Sequence, residues 1–164
     1  MDEFDYVVVG AGSSGGPLVD RLTATGRHSV LLLEAGPRDT NPWIHVPLGY
    51  HKTFNNPKVN WMFDSEPEAE LNNRIMYQPR GKVLGGSSSI NAMLYVRGHR
   101  SDYDQWAALG NTGWSYKDVL PYFRKSEHNE TYADEFHGQG GPLNVAELRQ
   151  PSSYSQRFLN AAVQ

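Results

Sequence analysis

Tyr6-Val7-Val8-Val9-Gly10-Ala11-Gly12-Ser13-Ser14-Gly15 decides the fold. Residues 4–9 read as a buried parallel strand, apolar from Tyr6 to Val9 and stopped by a glycine. Gly10, Gly12 and Gly15 then follow at GxGxxG spacing, with Ala11, Ser13 and Ser14 filling the loop. The first glycine permits a tight turn, the second lets a pyrophosphate approach the main chain, and the third lets a helix pack closely on the strand. The helix expected next carries Leu18, Val19, Leu22 and Ala24 on its inner face and stops near Gly26. Pro17 lacks the amide hydrogen of a helical residue, so its first turn should open late or irregularly. Ser29 to Leu33 reads as a second buried strand ending at Glu34. Strand, glycine turn, helix and strand make a βαβ unit with parallel strands.

This unit points to a dinucleotide. A helix N-terminus offers amide hydrogens and partial positive charge to phosphates. Glu34, about twenty residues past the glycines, is placed to accept hydrogen bonds from ribose hydroxyls, and its charge would repel a 2′-phosphate, which disfavours NADP. The spacing alone does not choose between FAD and NAD, and three such glycines also arise by chance in a glycine-rich chain. A short-chain NAD(P) dehydrogenase would carry Tyr-x-x-x-Lys, and no tyrosine here has lysine four positions later.

The chain has 164 residues, 38% hydrophobic and 20% charged, which suits one folded domain or a domain and the beginning of a second. Its formal net charge of −3 comes from interspersed signs, so no nucleic-acid surface is expected. It has no cysteine, which excludes disulfides, thiolate metal sites and cysteine nucleophiles. The acidic start Met1-Asp2-Glu3-Phe4-Asp5 lacks the features of a signal peptide, and no apolar run approaches the ~20 residues that span a bilayer. The expected location is the cytoplasm.

From Gly36 to Arg80, prolines 37, 42, 47, 57, 67 and 79 punctuate a stretch with little helical period, expected to be a long excursion of turns and short strands. A second glycine-rich stretch follows, Gly81-Lys82-Val83-Leu84-Gly85-Gly86-Ser87-Ser88-Ser89-Ile90-Asn91-Ala92-Met93-Leu94. It offers backbone donors and serine caps at the start of a short helix, expected over Ser87 to Tyr95, and reads equally as an anion-accepting nest or as a plain capped helix. Further helices are expected after Ser101 as N-cap to Gly110, over Tyr116 to Ser126 despite Pro121, and from Ser152 or Ser153 onward, with a strand at Leu143–Val145. The last helix carries Phe158, Leu159, Ala162 and Val163 on one side and meets no stop signal before Gln164, which suggests a truncated fold.

Taken together, these segments resemble the glucose–methanol–choline (GMC) oxidoreductases, the flavin-dependent alcohol oxidases and dehydrogenases. The resemblance rests on the first glycine motif, Leu33-Glu34-Ala35-Gly36-Pro37, Asn60-Trp61, Pro79 to Gly98, Asp102 to Trp106, Gly113 to Tyr116, and His137-Gly138 with Gly141-Pro142-Leu143. Glu34 to Gly49 looks most like acceptor-linked dehydrogenases of aliphatic alcohols, with choline dehydrogenase-like members close. The resemblance implies an α/β fold with a Rossmann-like FAD/NAD(P)-binding core in residues 1–36 and 72–100, a lid excursion in 37–71, and the beginning of a substrate-side region in 101–164. It implies FAD, with its pyrophosphate on the loop from Gly10 through Ala11, Gly12, Ser13 and Ser14 to Gly15. Its ribose falls to Glu34 and Ala35, its adenosine end to Trp61, and its flavin to Val83, Gly85, Gly86, Asn91, Ala92, Met93 and Leu94. Ile90 stands where some relatives attach FAD through histidine, so the FAD here is expected to be non-covalent. The implied reaction takes an alcohol to an aldehyde by hydride transfer to flavin N5, with a quinone, cytochrome or O₂ as electron acceptor. The full enzyme is compatible with peripheral association with the inner membrane. The family's catalytic histidine pair finds no match in His28, His45, His51, His99, His128 or His137 and is expected beyond Gln164. The alternatives from other classes are a non-catalytic nucleotide-binding module and an NAD-dependent enzyme.

Overall fold

The computed structural model describes residues 3–163, which fall in two compact units, Met1–Leu94 and Tyr95–Gln164. In the first, β1 (Tyr6–Val9) and β2 (Val30–Leu33) pair in parallel, Tyr6 opposite Val30 and Val9 opposite Leu33, with α1 (Gly15–Thr23) as the crossover. The Asp5 carboxylate accepts from the Ser29 amide at 2.7 Å and its hydroxyl at 2.9 Å, stitching the strand entrances together. Those bonds, the amide's first, hold the Asp5 carboxyl below the usual carboxylate range. Helix α1 does not open late: the Gly16 amide already donates to the Gly12 carbonyl at 3.1 Å. Pro17 is the third helical residue, in the first turn where a missing amide costs least. On its inner side Val19 and Leu22 are half-buried, while Leu18 and Ala24 are exposed, contrary to expectation.

The burial expected of the two strands is also not what the structure shows. Val8 is half-buried with its side chain beside Gly15 of α1, but Val9 is 82% exposed and Leu33 47%. One helix covers one face of a two-stranded ladder, and Val7 and Val9 are exposed.

The excursion holds more helix than its sequence suggests. Asn41 accepts from the Trp43 amide to cap α2 (Pro42–His45), a 3₁₀ turn spans Pro47–Gly49, and α3 covers Tyr50–Thr53. Pro42 and Pro47 sit at first helical positions, where the fixed φ favours the turn, so these prolines start helices instead of only breaking them. A hairpin follows, β3 (Phe63–Asp64) against β4 (Tyr77–Gln78). The apolar core of this unit is Val59, Val83 and Ile90, flanked by Ile44.

The helix expected over Ser87 to Tyr95 is a single 3₁₀ turn, Gly86–Ser89. The serines do not cap it. The Ser88 hydroxyl donates to the Gly85 carbonyl at 2.5 Å and that of Ser89 to the Leu84 carbonyl at 2.7 Å, while the Ser87 hydroxyl accepts from the Gly81 amide. The Asn91 carboxamide oxygen then takes the Met93 amide at 2.9 Å, and Met93 turns to φ +58°, which ends any helix.

In the second unit α4 (Arg100–Ala108) is capped by His99, not Ser101: the Asp102 carboxylate accepts from the His99 amide at 2.9 Å and closes a capping box. Its C-terminal side passes Leu109 into Gly110 at φ +98°. Helix α5 (Tyr116–Ser126) tolerates Pro121 with a second capping box of Ser115 and Asp118. Edge-on aromatic pairs hold this part together: Tyr103 of α4 meets Phe123 of α5 at 5.6 Å, and Trp106 meets Trp114 in the connection between them at 5.8 Å between ring centres. The sequence showed β6 (Leu143–Val145) but hid its parallel partner β5 (Glu127–Asn129). The last helix, α6 (Ser153–Ala162), begins where expected and is capped by Ser152, but Phe158, Leu159 and Val163 are exposed.

Candidate functional site

The two glycine motifs meet on one cleft. Backbone approach makes the join: the Gly85 amide donates to the Ala11 carbonyl at 2.8 Å, and Gly86 lies against Gly12. A methyl group on Gly86 would come within 2.7 Å of the Gly12 Cα, and Gly86 also holds φ +56°. On the helix side, a methyl group on Gly15 would collide with the Gly10 carbonyl, so the third glycine is required by helix–strand packing. Gly10 turns out of β1 at φ +96°.

The cleft measures about 630 Å³. Its floor is Val9, Gly10, Gly12 and Ser13 with Gly86 and Ser87, and the opening of α1 directs helix-end amides and dipole towards it. The cleft is also lined by Leu33, Glu34 and Ala35 and by Trp61, Phe63, Arg80 and Gly81. Trp61 and Phe63 lie parallel, 5.8 Å between centres and 7° apart in plane, and the Lys82 ammonium sits 4.5 Å over the Trp61 ring.

Glu34 does two things. Its carboxylate accepts from the Ala11 amide and the Gly36 amide, each at 2.8 Å, so it ties the glycine loop to the turn after β2. A carboxylate has about four lone-pair positions, and these two amides leave capacity for two hydroxyls.

Of the residues singled out from the sequence, Gly10, Gly12, Ser13, Glu34, Ala35, Trp61 and Gly86 line this cleft. Ala11 is buried beneath it, Ser14 is the exposed N-cap residue of α1, Gly15 packs the helix, and Gly85 at φ +91° holds the loop junction. Val83 is completely buried in the core with Val59 and Ile90, so its side chain does not face the cleft. Asn91 and Met93 line a separate cavity of about 250 Å³ with Trp43, His45 and Tyr50. Ala92 and Leu94 are exposed, Leu94 at 83%, and line neither cavity. The sequence reading missed Val9, Leu33, Phe63, Arg80, Gly81 and Ser87; Phe63 follows a bend at Met62 (φ +56°), so strand alternation from Trp61 gave no signal for it.

Among the described residues no histidine lines the cleft, and no cluster of three or more metal-ligating side chains occurs. The histidines have local partners: His45 Nε2 lies 2.6 Å from the Asp39 carbonyl, the His128 ring nitrogen accepts from the Gly140 amide, and His137 pairs with Asp134 at 2.7 Å. The His137 hydrogen bond is the main reason that the Asp134 carboxyl lies below its usual range. No helix among the described residues is long and apolar enough to cross a membrane.

The sequence profile of the GMC oxidoreductases matches residues 4–164. The chain belongs to the GMC oxidoreductase family. It is 47% identical over 98% of its length to an alcohol dehydrogenase [acceptor] of Pseudomonas putida, and 45% identical over 99% to the mitochondrial choline dehydrogenase of Mus musculus. A pyridoxine 4-oxidase from Mesorbium loti superposes with a TM-score of 0.90 over 98% of the chain at 34% identity. The chain spans 29%, 28% and 32% of these three proteins respectively. The mixed α/β architecture is therefore that of a GMC oxidoreductase's N-terminal, cofactor-side part.

Proposed function

We propose that this chain is the cofactor-binding portion of an FAD-dependent oxidoreductase that converts an alcohol to an aldehyde. The cofactor is FAD, and the observation that carries the reading is the junction of the two glycine motifs. Gly12 and Gly86 come together with no side chain between them, leaving bare main chain where a pyrophosphate needs close approach. The residues present fit the group in kind. Glu34 retains acceptor capacity for ribose hydroxyls, Trp61 and Phe63 offer a flat wall to the adenine, and the α1 terminus suits phosphate charge. The second motif, through Asn91, Ala92, Met93 and Leu94, is assigned to the flavin side. Ile90 is buried in the core and has no nucleophilic atom, which supports non-covalent attachment.

When bound, FAD supplies the hydride acceptor at N5 and passes electrons on to an acceptor such as a quinone, cytochrome or O₂. The chain's own contribution is to bind, orient and shield that group. Residues 101–164 are assigned to the start of a substrate-side region, and proton abstraction is assigned to a histidine outside the chain. The likeness to an acceptor-linked alcohol dehydrogenase and to choline dehydrogenases favours an alcohol as the substrate. The test is titration of the purified chain with FAD and with NAD, followed by flavin absorbance and fluorescence. Saturable FAD binding, weakened in Gly12→Val and displaced by ADP, is expected. Preference for NAD, or flavin binding indifferent to Gly12→Val, would refute the assignment. Alcohol-dependent dye reduction by the chain alone would refute the placing of the base elsewhere.

A further inference from the structure

Asn60 is 2% exposed, does not line the cleft, and has every hydrogen-bonding position of its side chain engaged. Its carboxamide oxygen accepts from the Met62 amide and the Arg80 amide, both at 2.9 Å. Its nitrogen donates to the Phe54 carbonyl at 2.6 Å and to the Tyr77 hydroxyl at 3.1 Å. The Tyr77 hydroxyl in turn donates to the same Phe54 carbonyl. Two amide donors on one atom and a carbonyl on the other fix the amide's orientation.

These bonds act on the residues that form the cleft wall. The Met62 amide bond closes an Asx turn around Trp61, and Met62 holds φ +56°, a conformation that a non-glycine residue keeps only where its surroundings enforce it. On the other side, Asn60 faces Gly81 in an antiparallel bridge, the Trp61 amide donates to the Arg80 carbonyl at 2.9 Å, and that of Lys82 to the Val59 carbonyl at 2.8 Å. One buried carboxamide thus sets both Trp61 and Arg80 against the cleft, and Lys82 over the Trp61 ring.

We propose that Asn60 is the positioning residue of the nucleotide wall: by bending the chain at Met62 and clamping it to Arg80, it aims Trp61 at the adenosine half of the cofactor. This rests on the FAD reading above. It makes affinity for the adenine-bearing half depend on a side chain that never touches it.

The experiment compares the whole chain with its Asn60→Asp, Asn60→Leu, Tyr77→Phe and Trp61→Ala variants, titrated with FAD, ADP and FMN. Aspartate keeps the oxygen that takes the Met62 and Arg80 amides but cannot donate to the Phe54 carbonyl; leucine removes all four bonds. One or two buried bonds unmade correspond to about tenfold to hundredfold in an equilibrium constant. Asn60→Leu is therefore expected to weaken FAD and ADP by at least about tenfold, Asn60→Asp by less, and Tyr77→Phe least, with FMN, which lacks the adenosine, unchanged. Adding Asn60→Asp to Trp61→Ala should cost nothing further, because the positioned group is gone. A merely structural role would move FMN binding along with ADP binding, and would add to Trp61→Ala; either outcome overturns the proposal. If Asn60→Leu does not fold, the graded Asn60→Asp and Tyr77→Phe pair decides, and ADP binding unchanged in both refutes it. If the parent chain takes up neither FAD nor ADP, the FAD reading itself falls; if the parent binds both and the variants match it, only the Asn60 proposal falls.

Discussion

Replacing Gly86 by alanine should damage this protein more than an ordinary glycine substitution, by an amount that the geometry separates into two parts. Gly86 holds φ +56°, and placing an L-residue there costs roughly 1–2 kcal/mol. The added methyl group would also stand 2.7 Å from the Gly12 Cα, well inside contact distance. Its neighbour is backbone, anchored by the Gly85 amide on the Ala11 carbonyl, and cannot swing aside as a flexible side chain would. The two motifs must separate, at a cost of about 1–3 kcal/mol for an overpacked site. The sum, about 2–5 kcal/mol, is a large fraction of the ~5–15 kcal/mol that holds a domain folded. Gly110 provides the control, with φ +98° and open space around its would-be methyl, so Gly110→Ala should show the conformational part alone. Chemical denaturation followed by circular dichroism gives both stabilities, and FAD titration of the folded variant reports whether the cleft has opened. Equal destabilisation by the two substitutions, with FAD affinity unchanged for Gly86→Ala, would show that close approach of the motifs is not a feature of the folded protein.

Three further outcomes follow from the same geometry. Glu34→Gln keeps one oxygen for an amide but presents an NH₂ group to the other, so it should weaken ADP binding and narrow the discrimination against 2′-phosphorylated ADP, measured by competition; unchanged discrimination would mean that Glu34 does not face the ribose. In the second unit Arg97 donates to the completely buried Glu127 at 2.6 Å, so Arg97→Met strands a buried carboxylate and should lower stability by about 3–5 kcal/mol, read by denaturant melts. Burial raises the Glu127 carboxyl, but the Asn129 side chain, the Gly138 amide and Arg97 outweigh it and leave it below the usual range. A depressed carboxyl contributes stability above its unfolded value of ~4.3 that is lost as pH falls through the lower folded value, so acid melts should show a loss below about pH 4 that Glu127→Gln reduces, Asp5 and Asp134 supplying the remainder.

Arg97 and Glu127 also show why part of the molecule was hard to foresee. Glu-His-Asn after a helix reads as a solvated turn, because charge ordinarily means exposure. It becomes a buried strand once Arg97, thirty residues earlier, supplies the countercharge and the Gly138 amide and Asn129 satisfy the remaining carboxylate positions. No local pattern records a partner at that distance. The triple serine is the opposite case. Its hydroxyls looked like helix caps, but they bind back to the Leu84 and Gly85 carbonyls and shorten the helix to one turn.

Local chemistry alone determined the parallel βαβ unit, its glycine turn and the acidic residue at the end of β2, because backbone freedom at Gly10 and Gly15 and the apolar run before them act over a few residues. The helices that begin at Tyr116 and Ser153 were legible for the same reason. Tertiary structure decided which of these features share a cleft. Gly12 meets Gly86 across more than seventy positions of sequence, and Trp61 is aimed by a carboxamide bonded to Phe54, Met62, Tyr77 and Arg80. It also decided that Val83 belongs to the core and that Val9 stands in the open, since burial depends on which elements pack against a side chain and not on that side chain's polarity.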